Sequence, residues 1–266
     1  MFTVEQVVRA LYLGALGREP DLDGLEAFAA RLRQDASALD EIAATFHRSE
    51  EHVRSLTGGS MISDHSQYGE FQLFLSHFMD KAAQHKLIVD VGANGRERSN
   101  SFDLMKHFGW KGLLIEANPS LWPSIEKEFA GLDYCLIRGG VAEQEGVMPL
   151  FLGVHDDISS LIRASVAGWG EVRGQVAVDV RRLGDILDDH DVPKNFDILS
   201  LDIEGLDLPI LNDLLVTTGY RPELISIETS MNFANRSLDD IPVNDIAKQE
   251  YRLAFQTTAN MILARK

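Results

Sequence analysis

The chain has 266 residues, 45% hydrophobic and 25% charged, which suits one large domain with an appendage, or two domains, around a sizeable core. Its formal net charge of −16 sets up a field that repels nucleic-acid phosphates and anionic membrane surfaces, and no run of Lys and Arg opposes it; Arg181 and Arg182 read as the end of an exposed strand. A single cysteine, Cys135, excludes an internal disulfide framework and a multi-cysteine zinc site, and no apolar window is long enough to span a membrane. A cytoplasmic protein with no nucleic-acid partner, no membrane insertion and no standard export signal is therefore expected, and Cys135 reads as a buried strand thiol.

The first segment is helical. Val4, Val7, Val8, Leu11, Tyr12 and Ala15 recur at helical spacing. Leu25, Phe28, Ala29 and Leu32 resume the period, and Leu39, Ile42, Ala43 and Phe46 repeat it after Ser37, which reads as a cap. "DLDG" at 21–24 places carboxylates at alternate positions before a glycine, but the spacing does not meet the needs of a calcium loop, and Pro20 with Asp21 reads as a helix start. "TGGS" at 57–60 breaks the pattern, so a helical domain is predicted over 1–57 and a second domain over 62–266.

From there strands and helices alternate. "FQLFLSHFMDKAAQH" is an amphipathic helix, "KLIVDVG" a strand, "SFDLMKHFG" a helix, "KGLLIEA" a strand, "PSLWPSIEKEFA" a helix and "YCLIRGGV" a strand. "VMPLFLG" and "QVAVDV" read as strands of an added hairpin or edge. "RRLGDILDDH" reads as a helix, "FDILSLDIEG" a strand, "LPILNDLLVTTG" a helix and "ELISIET" a strand. "YRLAFQTTANMILARK" reads as two strands joined near Thr258 to Asn260. The predicted fold is α/β: a Rossmann-like, doubly wound, mostly parallel sheet with helices on both faces and an antiparallel edge hairpin.

In such sheets ligands lie beyond the carboxyl ends of the strands. "VDVGANG", "IEANP" and "LDIEG" each end a strand with an acid near its last residue. A dinucleotide would need a glycine fingerprint, but Arg98 stands where the third glycine belongs, and Asp90 repels phosphate. A nicotinamide-dependent oxidoreductase is therefore disfavoured. S-Adenosylmethionine has no phosphate but carries an ammonium, a sulfonium and a ribose diol. Asp90 and Gly92 suit its methionine end, Gly92 by letting the backbone approach closely, and Glu116 suits the ribose hydroxyls.

"VDVGANGRERSNSF", "GWKGLLIEANPSLW", "DILSLDIEGLDLPIL" and "YRLAFQTTANMILARK" together resemble the FkbM-type S-adenosylmethionine-dependent methyltransferases over about 62–266. The resemblance implies a class I methyltransferase fold. It implies that Asp90, Gly92, Ala93 and Asn94 border the methionine moiety, that Glu116 binds ribose, and that Ala117 and Asn118 lie near the adenosine. Gly140 and Val141 would flank adenine, and Ser99, Asn100 and Ser101 match a Ser-Asn-Thr signature, with Ser101 in the threonine position. "YLGALGREPDLDGLEAF" resembles a short helical family of unknown function appended to bacterial surface-carbohydrate proteins.

Asp202 and Glu204 stand two positions apart, so on a strand both would point to one face. Held close, they either raise one pKa to make a general base or chelate a magnesium ion. His155 in a polar loop and Glu228 in "SIET" are further candidates, and Trp169 serves either as a platform for a sugar ring or as a core plug. The expected activity is methyl transfer to a hydroxyl of a sugar, glycan or related small metabolite, a carbohydrate modification. The rival from another class is a cofactor-binding module without catalysis, docking through the helical domain on a protein partner in glycan assembly.

Overall fold

The computed structural model describes residues 3–47, 49, 51–52, 63–154, 158–229 and 237–266. The chain divides into two compact units, one of residues 1–63 with 72–82 and one of residues 64–71 with 83–266.

The first unit contains α1 (Val4–Leu16), α2 (Leu22–Gln34) and α3 (Leu39–His47). A capping box opens α1: Thr3 Oγ1 accepts the Gln6 N–H, and the Gln6 side chain accepts the Thr3 N–H. Asp21 caps α2 by accepting the Gly24 N–H at 2.7 Å, so "DLDG" is a helix start. A Cβ at Gly24 would lie 2.1 Å from the Tyr12 hydroxyl oxygen. The missing side chain lets Tyr12 pack edge-on against Phe28 and Phe46. Val8, Ala29, Leu32 and Ile42 complete this core, all at positions where the helical period is visible in the sequence. The cap before α3 is Asp35 and not Ser37: its carboxylate accepts the Ser37 N–H at 2.9 Å and starts a 3-10 turn, Ala36–Ala38, that runs into α3.

Helix α4 spans Glu70–Asp80. The elements that follow are β1 (Leu87–Val91), α5 (Phe102–Phe108), β2 (Lys111–Glu116), α6 (Trp122–Glu128) and β3 (Tyr134–Arg138). Next come β4 (Gly140–Val141), β5 (Gly146–Leu152), β6 (Ser159–Ser160), α7 (Arg163–Trp169), β7 (Gly174–Arg181) and α8 (Leu183–Asp189). The chain closes with β8 (Ile198–Leu201), α9 (Asp207–Thr217), β9 (Leu224–Glu228), α10 (Asp245–Glu250), β10 (Tyr251–Gln256) and β11 (Asn260–Arg265).

The main sheet is seven-stranded, in the order β10-β11-β9-β8-β1-β2-β3. Strands β9, β8, β1, β2 and β3 are parallel, and the C-terminal hairpin joins β9 through antiparallel β11, as the alternation and the final turn predict. Ile88–Val91 and Ile198–Leu201 are buried throughout, so both faces of the sheet centre are covered. On one face Val89, Leu113 and Leu199 pack with Ile186 of α8 and Leu211 and Leu214 of α9.

Two expectations change. The strands "VMPLFLG" and "QVAVDV" do pair, but within a separate four-stranded sheet, β4-β7-β5-β6, that also takes in the short β4 and β6. Cys135 is exposed, because β3 is the outermost strand and one of its faces is left to solvent.

Buried Asp197, just before β8, ties the chain entering β1 to the sheet: its carboxylate accepts the N–H of Gln84, His85 and Leu87 at 2.7, 2.9 and 3.1 Å. Asp197→Ala strands three donors and is expected to destabilise the protein by about 3 kcal/mol or more. Urea denaturation checks this, with Asp197→Asn, which keeps one acceptor oxygen, expected to fall between the parent and the alanine variant.

Candidate active site

After β1 the chain moves to β2 and β3 on one side, and it later returns to β8 on the other side of β1. The connection order therefore switches between β1 and β8, which opens a crevice at their carboxyl ends. There the N–H groups of Gly92 and Ala93 both donate to the Ile115 carbonyl, at 2.9 and 3.2 Å, and the Asp202 N–H donates to the Val91 carbonyl at 3.0 Å. Gly92 has φ 86, and a Cβ on it would lie 1.9 Å from the Asp202 carbonyl oxygen. The close approach that requires glycine is thus between two stretches of backbone, where the sequence suggested approach to a ligand. A cavity of about 430 Å³, lined by Leu87, Lys111, Tyr134, Cys135 and His190 among others, lies at the amino ends of the strands, away from these groups.

Asp90 is 3% exposed, and its Oδ2 has no hydrogen-bond partner among the described residues. Burial pushes its carboxyl up to about 6, opposed by hydrogen bonds with Ser101 and Ser200. The Ser200 hydroxyl also accepts from the Asn100 amide at 3.0 Å. Ser99 Oγ accepts the N–H of Ser101 and of Phe102, at 3.2 and 3.0 Å, and so caps the start of α5. Ser99, Asn100 and Ser101 therefore form a buried polar network behind Asp90, whereas Arg96, Glu97 and Arg98 before them are exposed.

Glu116 ends β2 and is buried. Its Oε2 accepts the Asn94 N–H at 3.1 Å and its Oε1 the Asn118 N–H at 2.6 Å. Burial raises its pKa and these bonds oppose the rise. Asn94 reaches Glu116 from a left-handed backbone, φ 46. Asn118 Oδ1 accepts from the N–H and the hydroxyl of Ser120, closing the turn after β2. A Cβ on Gly140 would lie 3.5 Å from that of Ala117, so β4, with Gly140 and Val141, borders the same turn.

The carboxylates after β8 meet for a different reason from the predicted one. The strand ends at Leu201, so strand alternation does not govern Asp202 and Glu204; instead Glu204 sits in the following turn with φ 55. Asp202, Glu204 and Glu228 each place an oxygen within 4.8 Å of the others, Glu228 arriving on β9 beside β8. The turn is secured by buried Asp207, which accepts the N–H of Ile203 and Gly205 at 3.0 and 3.1 Å. The Ser160 hydroxyl donates to the Glu204 carbonyl at 2.8 Å, and the Trp169 indole N–H to Glu204 Oε2 at 3.0 Å. Trp169 is 58% exposed, which removes the core-plug alternative. His155 lies outside the described residues.

Burial, then the charges of Glu228, Asp207, Glu204 and Asp90, hold Asp202 well above the ordinary carboxylate range. Burial and the charges of Glu204 and Asp207 push Glu228 to about 8, opposed by its hydrogen bond with Asp202. Both carboxyls therefore hold their protons more firmly than free carboxylic acids do, and the two titrate as a coupled pair. Asp207 and Ser200 were not singled out from the sequence. The signal for Asp207 was available, since an acid at the head of a helix is favoured there, whereas Ser200 is an unremarked strand residue until β8 lies beside β1.

The family model described as Methyltransferase FkbM domain matches residues 90–253, and that described as Domain of unknown function (DUF4214) matches residues 2–56. No curated protein matches the chain. Among the described residues no helix is long and apolar enough to cross a membrane.

Gly92→Ala adds a methyl where Asp202 already sits and strains a left-handed backbone; a loss of about 2 kcal/mol or more in stability is expected by urea denaturation. Glu228 has a folded-state pKa above its ordinary value, so its ionisation disfavours the folded state and stability falls as pH rises through about 8. Glu228→Gln should therefore melt above the parent at about pH 9, with the difference much reduced near pH 4. Equal melting temperatures at both pH values would contradict the burial of this carboxyl.

Proposed function

The chain belongs to the FkbM methyltransferase domain family, and on that premise we propose that it transfers a methyl group from S-adenosylmethionine to a hydroxyl of a sugar, glycan or related small metabolite. The observation that carries this reading is the meeting, across Gly92, of a buried carboxylate, one oxygen of which has no partner among the described residues, with a cluster of three carboxylates. The strand order, with one antiparallel strand inserted beside β9, supports reading the sheet as a Rossmann-like fold of the class I methyltransferase type. The division into a helical domain over 1–57 and a methyltransferase domain over 62–266 belongs to the same proposal, as does a protein partner for the helical domain.

The residues present fit the cofactor. Asp90 Oδ2 has no donor among the described residues, and an ammonium group supplies one together with a compensating charge. Each Glu116 oxygen accepts a backbone N–H, and a carboxylate's further lone pairs give capacity for a ribose hydroxyl. In this assignment Asp90, Gly92, Ala93, Asn94 and Ser101 border the methionine part, Glu116 the ribose, and Ala117, Asn118, Gly140 and Val141 the adenosine. When bound, S-adenosylmethionine supplies a methyl carbon on a sulfonium leaving group. The Asp202–Glu228 pair, in the form that has given up a proton, takes the acceptor's hydroxyl proton. Glu204 accepts a hydrogen bond from the acceptor and orients it.

Calorimetry with S-adenosylhomocysteine tests the cofactor assignment. The parent should bind, and Asp90→Asn and Glu116→Gln should each weaken binding by about tenfold or more. Asp202→Asn should abolish methyl transfer and leave that affinity nearly unchanged. The three clustered oxygens of Asp202, Glu204 and Glu228 also suit a magnesium ion. Full activity in excess EDTA is the outcome expected of an acid–base role for the pair, and activity restored only by added magnesium would replace that role with metal binding.

A further inference from the structure

We propose that Trp169 is the platform on which the acceptor lies, and that the acceptor is a neutral, hydroxyl-bearing ring, not an anionic one. This rests on reading the crevice as a methyltransferase centre.

Trp169 ends α7 and is 58% exposed, yet its ring is not free to wander. Its indole N–H is held by Glu204 Oε2 at 3.0 Å, and that carboxylate stands within 4.8 Å of those of Asp202 and Glu228. The helix that carries it is seated against the same turn. The Ser160 hydroxyl, just before α7, holds the Glu204 carbonyl at 2.8 Å, and a Cβ on Gly205 would lie 2.6 Å from Ser165 Oγ. An indole whose only donor is already engaged offers a ligand its apolar surface and nothing else. A rigid aromatic plane costs little entropy to present, and it fits a ring with an apolar C–H face, such as a pyranose.

The charge beside the platform decides which rings fit. Ionised carboxylates are acceptors only, so they match the O–H groups of a polyol. Three carboxyl groups, of Asp202, Glu204 and Glu228, crowd within 4.8 Å of one another beside the indole, and the chain carries −16 overall. A phosphate or carboxylate close to the reacting hydroxyl would meet like charge at short range in a half-buried setting. The geometry thus selects neutral glycosides over sugar phosphates, nucleotide-linked sugars and uronic acids.

The test measures methyl transfer from labelled S-adenosylmethionine to a panel of neutral methyl glycosides, each matched with its uronic acid and its sugar phosphate. Transfer to neutral members and not to their charged counterparts is expected. Trp169→Ala should raise KM for a neutral glycoside by about tenfold or more, and Trp169→Phe, which keeps a ring without the N–H, by less, with S-adenosylhomocysteine affinity unchanged in both. Melting temperatures establish that the variants fold, and Trp169→Phe carries the comparison if the alanine variant does not. Preferred transfer to the anionic members, no transfer to any neutral member by a protein that binds S-adenosylhomocysteine, or an unchanged KM in the folded variants would overturn the proposal. Failure of the parent to bind S-adenosylhomocysteine would instead sink the methyltransferase reading beneath it.

Discussion

The contact between Gly92 and the Asp202 backbone is the constraint on which the rest of the site depends. Two parallel strands that are distant in sequence end side by side, and the loops leaving them must pass almost touching. A side chain on residue 92 would hold them apart. Once they meet, Asp90 at the end of β1 and Asp202 after β8 share one crevice, and β9 delivers Glu228 to the same place through its register with β8. The hydrogen bonds from Gly92 and Ala93 to Ile115, and from Asp202 to Val91, extend sheet-like pairing past the strands and fix this arrangement without any functional side chain.

The crevice collects carboxylates in a setting that penalises their charge. Asp90, Glu116, Asp202, Asp207 and Glu228 all have raised pKa values, with burial as the first cause in each. Two solutions to that penalty coexist. Glu116 and Asp207 are compensated by backbone N–H groups, so they serve as fixed acceptors that shape turns. Asp202 and Glu228 meet that penalty by holding protons more firmly, and Asp90 has one oxygen without a partner among the described residues. Compensated acids hold the architecture, and incompletely compensated ones remain available for chemistry.

The helical unit follows a separate logic. Its apolar period, its capping residues and the fit of Tyr12 over Gly24 form a small self-contained core, with Asp21 acting as a cap where its carboxylate had the look of a metal ligand. Local capping accounts for that sequence pattern in full.

The amino-acid sequence specified the alternation of strands and helices, the C-terminal hairpin, and the positions of Asp90, Glu116 and Asp202 at or next to strand ends, because apolar period and turn residues are local properties of the chain, and its motifs carried the family resemblance. It also placed Glu204 and Glu228 among the candidates, though for Glu204 by strand alternation, which does not operate beyond Leu201. Tertiary structure alone decided that β8 lies beside β1, that a left-handed Glu204 joins Asp202 and Glu228, that Trp169 of the separate sheet's helix reaches Glu204, and that Cys135 faces solvent on an edge strand. These outcomes depend on which segments become neighbours across long stretches of sequence, and no local pattern of residues encodes that pairing.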